Sequence, residues 1–165
     1  FTREAKNLYP GRYKRQALRF ARAEPEDTEA LRRLARASEA HWGYDEAFME
    51  HFDAGFNVTE DFIRRNPVYA AGERGCPAAF WGIRQDRDAW ELEYFYVAEE
   101  RLGRGLGKQM WEHMTGWCEK KEICRIHFVT SPQAVGFYRK MGAVRDGETR
   151  SPVDGRPVPH FVYDL

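Results

Sequence analysis

The stretch VAEERLGRGLGK (Val97–Lys108) sets three glycines, Gly103, Gly105 and Gly107, at alternate positions between an apolar, aromatic run and a segment of helical periodicity. Glycine is costly inside a helix, so three of them at such a join imply a backbone that must stay bare. Downstream, Leu106, Met110, Met114, Trp117 and Cys118 form a helical stripe, and Ile123–Val129 reads as a buried strand. The unit is strand, glycine loop, helix, strand, a crossover that favours parallel pairing of its two strands. A glycine loop opening a helix turns several N–H groups that lack intrahelical partners toward one point. With the helix dipole these form an anion site, and positions without side chains let a phosphate approach closely.

Working outward, ALRFARAEPEDTEALRRLARASEA (Ala17–Ala40) predicts a short strand at Leu18 and Phe20, then a helix. Pro25 suits a first helical position, acidic residues follow it, and Leu31, Leu34, Ala35 and Ser38 share one face. The next segment predicts shorter helices around Gly43 and Gly55; its aromatics Trp42, Tyr44, Phe48, Phe52 and Phe56 either wall a pocket or bury against the sheet. Val68–Val97 reads as three strands joined by turns at GERG and QDRD. SPQAVGFYRKMGAV predicts another helix, ended by Gly142, and HFVYDL a final strand. The sum is one α/β domain with a mixed sheet over residues 17–165. Residues 1–16, basic and without periodicity, are read as an N-terminal extension or tag remnant.

Composition narrows the function classes. Of 165 residues, 42% are hydrophobic and 15% aromatic, enough for a sizeable core. Lys+Arg and Asp+Glu balance at 26 each, so no net field draws the chain to nucleic acid or an anionic membrane, and neither partner is expected. No apolar run spans a bilayer and no signal-peptide pattern is present. Cys76, Cys118 and Cys124 are odd in number and form no CxxC pair, which points to reduced thiols in the cytoplasm. His41, His51, His113, His127 and His160 show no paired ligand spacing, so no metal is expected.

The loop fits two common phosphate motifs poorly. A P-loop needs glycine at 102 and Ser or Thr at 109, where Leu102 and Gln109 stand. The dinucleotide fingerprint needs glycine at 108, where Lys108 stands. A second motif decides the matter: Ala134, Phe137, Tyr138 and Gly142 in AVGFYRKMG, one helix and one strand after the loop. Together the two motifs, in this order and at this interval, resemble the GNAT superfamily of acetyl-CoA-dependent N-acetyltransferases. The first matches its Gln/Arg-x-x-Gly-x-Gly/Ala loop over Leu102–Gly107; the second matches its Ala-x-x-Phe-Tyr-x-x-x-Gly helix. The likeness covers Ala17–Leu165, with two departures: Leu102 replaces the usual Gln or Arg, and Ser131 stands where many members have Asn, with Gln133 nearby as a polar substitute.

The resemblance implies a mostly antiparallel mixed sheet with splayed central strands, flanked by helices. It implies acetyl-CoA as co-substrate, held by Leu102, Gly103, Arg104, Gly105, Leu106, Gly107 and Lys108 around the phosphates and by the backbone of Phe95 and Val97 along the pantetheine, with Gln133 nearby. Arg104 and Lys108 offer charge there, or Lys108 simply solvates a helix surface. Tyr138 is implied to face the sulfur, where a phenol can give a proton or hydrogen bond to a departing thiolate. The acceptor is an amine, and at a lysine-like pKa of ~10.4 it is almost wholly protonated at neutral pH, so a base is useful. Strand alternation predicts Glu91, Glu93, Phe95 and Val97 on one face. Glu91, eleven residues before Leu102 at the offset where the family's histone acetyltransferases carry their catalytic glutamate, is the first candidate base and Glu93 the second, provided burial raises the carboxyl; both can equally be ordinary strand-end polar residues. His41, Trp42 and Tyr44 are candidates for lining the acceptor pocket, or belong to a packed loop. The aromatic segment and balanced charge favour a small-molecule acceptor, and a homodimer is compatible with the family. A non-catalytic acyl-CoA-binding module and a transferase of a longer acyl group stay open as alternatives.

Overall fold

A computed structural model of the chain describes residues 18–101 and 103–165; residues 1–17 and Leu102 lie outside the described residues. The proposed extension at 1–16 and one predicted phosphate-loop residue therefore fall outside it as well. Strand β1 (Phe20–Arg22) pairs antiparallel with β2 (Val68–Glu73), β2 with β3 (Cys76–Asp86), and β3 with β4 (Ala89–Val97). Beyond the crossover, β5 (Arg125–Val129) runs parallel to β4, while β6 (Val144–Arg150) and β7 (Pro157–Asp164) complete the order β1-β2-β3-β4-β5-β7-β6. The sheet is α/β, mixed and mostly antiparallel, as expected.

Five α-helices of the described residues cover it. Helices α1 (Thr28–Ala40), α2 (Glu46–Gly55) and α3 (Glu60–Arg65) pack on one face, around Leu31, Leu34, Met49, Phe52, Ile63, Phe80 and Tyr94. Helices α4 (Leu106–Lys120) and α5 (Val135–Lys140) cover the other, around Trp81, Ile83, Leu92, Met110, Met114, Ile126 and Tyr138. Each large apolar side chain fully buried in this way contributes about 1.5–3 kcal/mol. Local signals act where they were read. Pro25 opens a 3₁₀ turn (Pro25–Asp27) leading into α1, Asp45 and Thr59 cap α2 and α3 by accepting from the amides of Phe48 and Phe62, and Gly142 follows α5 with φ +97°. No helix among the described residues is long and apolar enough to cross a membrane.

Three local expectations change. Leu18 stands outside β1, because its N–H donates to Gln109 Oε1 at 2.9 Å and not to β2. Strand β6 was not expected; all seven of its residues are exposed, so no hydrophobic alternation marks it, and only its pairing with β7 makes it a strand. Third, β4 does not alternate evenly. Gly82 pairs with Tyr94 but Ile83 pairs with Leu92, so Glu93 is an extra, unpaired residue. This bulge sends Leu92, Phe95 and Val97 to the α4 side, and Tyr94 and Tyr96 to the α1 side. Glu91 sits opposite Arg84 and shares that cation with Glu93, so the four residues expected on one face are divided between two.

Candidate active site

The crossover creates a gap. Strands β4 and β5 pair only at Trp90–Ile126 and Glu91–His127, then diverge. Ala98 N–H bonds the Ala78 carbonyl; by antiparallel alternation the amide groups of Phe95 and Val97 turn the other way, toward the gap. The Val97 carbonyl accepts from Ser38 Oγ at 3.3 Å. Into this gap opens a cavity of about 1000 Å³ that runs from the glycine loop past Phe95 and Tyr138 to the aromatic segment before α2.

At one end the glycines divide their work. Gly103 and Gly105 both have φ +76°, a left-handed conformation that side chains disfavour, and a Cβ on either would meet nothing within 4 Å. Space therefore lies in front of both. Gly107, inside α4, is needed for another reason: its Cβ would come 3.0 Å from Phe137 Cε2, so it lets the helix start close to α5. The amides of Leu106, Gly107 and Lys108 have no carbonyl one turn earlier to bond within the helix. Lys108, Arg101 and Lys140 also line the cavity. This cradle of bare amides and cations fits a diphosphate. Arg104 is exposed and is not among the lining residues; Leu102 lies outside the described residues.

Midway, Tyr138 is buried and lines the cavity beside Phe95 and Phe128, with ring centroids 5.9 and 4.6 Å away. Burial, reinforced by the Glu39 charge, pushes its phenol well above the ordinary range against a smaller opposing effect of Thr130. It stays protonated and keeps its O–H available as a donor. Two carboxylates approach from β4. Glu93 lines the cavity and accepts from Arg84 Nε at 2.6 Å, while Glu91 accepts from Arg84 Nη2 at 2.7 Å and does not line it. Burial and a hydrogen bond with Glu93 raise the Glu91 carboxyl, against the Arg84 charge.

The far end gathers residues from four segments. His41 Nδ1 lies 2.9 Å from Glu99 Oε1, and Trp42 meets the His41 ring edge-on. The Tyr44 hydroxyl donates to Gln133 Oε1 at 3.5 Å. From the β6–β7 hairpin, Arg156 lays its guanidinium over Tyr44 at 3.8 Å and Phe48 at 4.1 Å, held by Asp154. Glu39, near the end of α1, accepts from the Tyr96 hydroxyl at 2.8 Å, and burial raises its carboxyl. Sequence reasoning missed Glu39, Arg101, Lys140 and Arg156. Arg101 stands beside the quoted glycines and was open to notice; Glu39 and Arg156 belong to no motif.

A sequence model of the Acetyltransferase (GNAT) family matches residues 28–143. Comparison with curated proteins gives no match. Among solved structures, the chain is similar to the PaiA N-acetyltransferase from Thermoplasma acidophilum in complex with coenzyme A, at 19% identity and TM-score 0.70, covering 91% of this chain and 100% of that one. It is similar to the ribosomal-protein-S18-alanine N-acetyltransferase from Escherichia coli, at 17% identity and TM-score 0.68, over 90% and 94% of the two chains. It also resembles an acetyltransferase of the GNAT family from Streptococcus pneumoniae, at 19% identity and TM-score 0.67, over 90% and 99%.

Proposed function

The chain belongs to the GNAT acetyltransferase family, and on that premise we propose that it transfers an acetyl group from acetyl-CoA to a primary amine of a small molecule, by direct attack in a ternary complex. The observation that carries this reading is a single cavity continuous from the bare loop at Gly103–Lys108 to the Tyr138 side chain. In this reading residues 17–165 act as one transferase domain, and the free thiols of Cys76, Cys118 and Cys124 suit a reducing cytoplasm.

Amides of the loop, with Arg101, Lys108 and Lys140, hold the diphosphate; the amide groups of Phe95 and Val97 hold the extended arm in the gap beside β5, and an amide there polarises the acetyl carbonyl. The amine loses its proton to Glu93, directly or through water, with Glu91 behind it sharing Arg84. The nitrogen lone pair forms the new N–C bond and the C–S bond breaks. A phenol whose pKa is raised is too weak an acid to protonate the thiolate fully, so Tyr138 stabilises the departing sulfur by a donated hydrogen bond. After the attack the nitrogen gives up its second proton to water, and the thiolate takes a proton from solvent on release.

The test is thiol release from acetyl-CoA with a panel of amines. Tyr138→Phe should lower kcat by roughly 10- to 100-fold while CoA affinity stays within about twofold. Tight CoA binding with no turnover across the panel would sink the catalytic reading in favour of a binding module.

A further inference from the structure

At the bulge in β4, two carboxylates meet one cation. Arg84 and Glu91 stand directly opposite each other across β3 and β4, and the extra residue brings Glu93 to the same guanidinium from the cavity side. The Arg84 Nε–H donates to Glu93 Oε1 at 2.6 Å, and Nη2 donates to Glu91 Oε2 at 2.7 Å. Asp86 Oδ2 lies 3.9 Å from Nη1, beyond hydrogen-bond length. His127 stands across from Glu91 in the β4–β5 pairing, and the Tyr94 phenol neighbours Glu93 on β4. Among the described residues, Arg84 is the one cation bonded to either glutamate.

A guanidinium is a planar fork, so N–H groups on two of its nitrogens fix the directions of two acceptors at once; an ammonium in its place would be a point charge. With both glutamates ionised and Arg84 between them, one negative charge is left over, and two like charges sharing a site favour uptake of one proton. A base paired with a guanidinium of its own would leave that cation unpaired on protonation. Here Arg84 keeps Glu91. When a proton passes from an ammonium nitrogen to Glu93, the cluster ends as one neutral acid beside one intact ion pair. Of the two glutamates, Glu93 lines the cavity and Glu91 does not.

Resting on the transferase reading above, we propose that Arg84 and Glu91 are positioning residues for Glu93: Arg84 aims its carboxylate into the cavity, and Glu91 keeps the guanidinium paired when Glu93 takes the proton of the amine. The two act on the base in opposite senses. The Arg84 charge favours its ionised form, and the Glu91 charge favours its protonated form. The three side chains are 31–37% exposed, so water screens them and each effect amounts to about 0.5–1 in pH.

The experiment follows kcat/KM against pH for the best amine of the panel at saturating acetyl-CoA. In parallel, carbon NMR titrates the Glu93 carboxyl in the whole chain with CoA bound, its signal assigned from Glu93→Gln. Arg84→Gln should move both the acid limb of the rate profile and the NMR midpoint up by about 0.5–1 in pH, and Glu91→Gln should move both down by a similar amount. Arg84→Lys keeps the charge and loses the fork. Its midpoint should stay near the parent's while kcat falls by roughly fivefold or more and KM changes less than about twofold. Shifts in the same direction for Arg84→Gln and Glu91→Gln, no shift in either, or full kcat in Arg84→Lys would overturn the inference and leave the transferase reading standing. Opposite NMR shifts with no turnover of any amine would sink the transferase reading and leave the coupled cluster in place.

Discussion

The Tyr96 hydroxyl donates a 2.8 Å hydrogen bond to Glu39 Oε1, joining the middle of the sheet to the end of α1 inside the cavity. Burial raises the Glu39 carboxyl above its ordinary value of about 4.3. The folded protein therefore binds more protons than the unfolded chain between that value and the raised one. Stability from this group is complete below about pH 4.3 and is lost as pH rises through the native pKa. Glu39→Gln removes the loss, so thermal denaturation should show the variant more stable than the parent at pH 7 and the difference vanishing near pH 4. Removing the donor works the other way: Tyr96→Phe should cost roughly 1–3 kcal/mol at pH 7, measured by urea denaturation.

His113 should impose the opposite pH dependence. The Trp81 indole N–H donates to its Nδ1 at 3.0 Å, so the neutral ring carries its proton on Nε2. Burial, with a smaller effect of Lys120, lowers its pKa below the ordinary value near 6.5. Stability from this group is complete above about pH 6.5 and falls as pH drops toward the lowered native pKa, where protonation removes the acceptor. His113→Gln should lose this acid-side slope in melting temperatures taken between pH 5 and 8. An unchanged slope would move the effect elsewhere.

Two glycines of the loop should fail in different ways. Gly105→Ala forces a side chain into φ +76°, costing about 1 kcal/mol, with open space around it. Gly107→Ala gains about 1 kcal/mol of helix propensity but drives a methyl group to 3.0 Å from Phe137 Cε2. Phe137 is packed against Phe95 and Tyr138, at 5.7 and 5.1 Å between centroids, so the collision should win. Calorimetry should find lower CoA affinity in both, and a shifted Phe137 signal only in Gly107→Ala.

Arg156 lies over two rings at the aromatic end of the cavity. Arg156→Ala should raise the acceptor KM by roughly tenfold, from contacts of about 0.5–2 kcal/mol, while CoA affinity stays nearly constant. Steady-state kinetics with each substrate varied in turn would check it.

Reading the chain alone, one recovers whatever local chemistry governs. Periodicity marks α1 and α4, the GERG and QDRD turns divide β2, β3 and β4, and bare positions at 103 and 105 announce a loop whose amides face outward. Each of these depends on residues within a turn or two of one another, so one sequence contains the cause. The family motifs at 103–107 and 134–142 are equally local, and both line the same cavity.

Long-range pairing decides the rest. The bulge at Glu93 arises from how β3 and β4 fit together, and it overrules the even alternation that put Glu91 beside Phe95. Strand β6 exists because β7 offers it partners. Glu39 and Arg156 lie 117 positions apart and share a cavity wall only because a helix end and a hairpin turn converge there. Backbone preference is a property of neighbouring residues, whereas charge compensation belongs to whatever folding brings together. For that reason the glycine-loop end of the cavity was legible in the sequence, and the aromatic end was set only by tertiary structure.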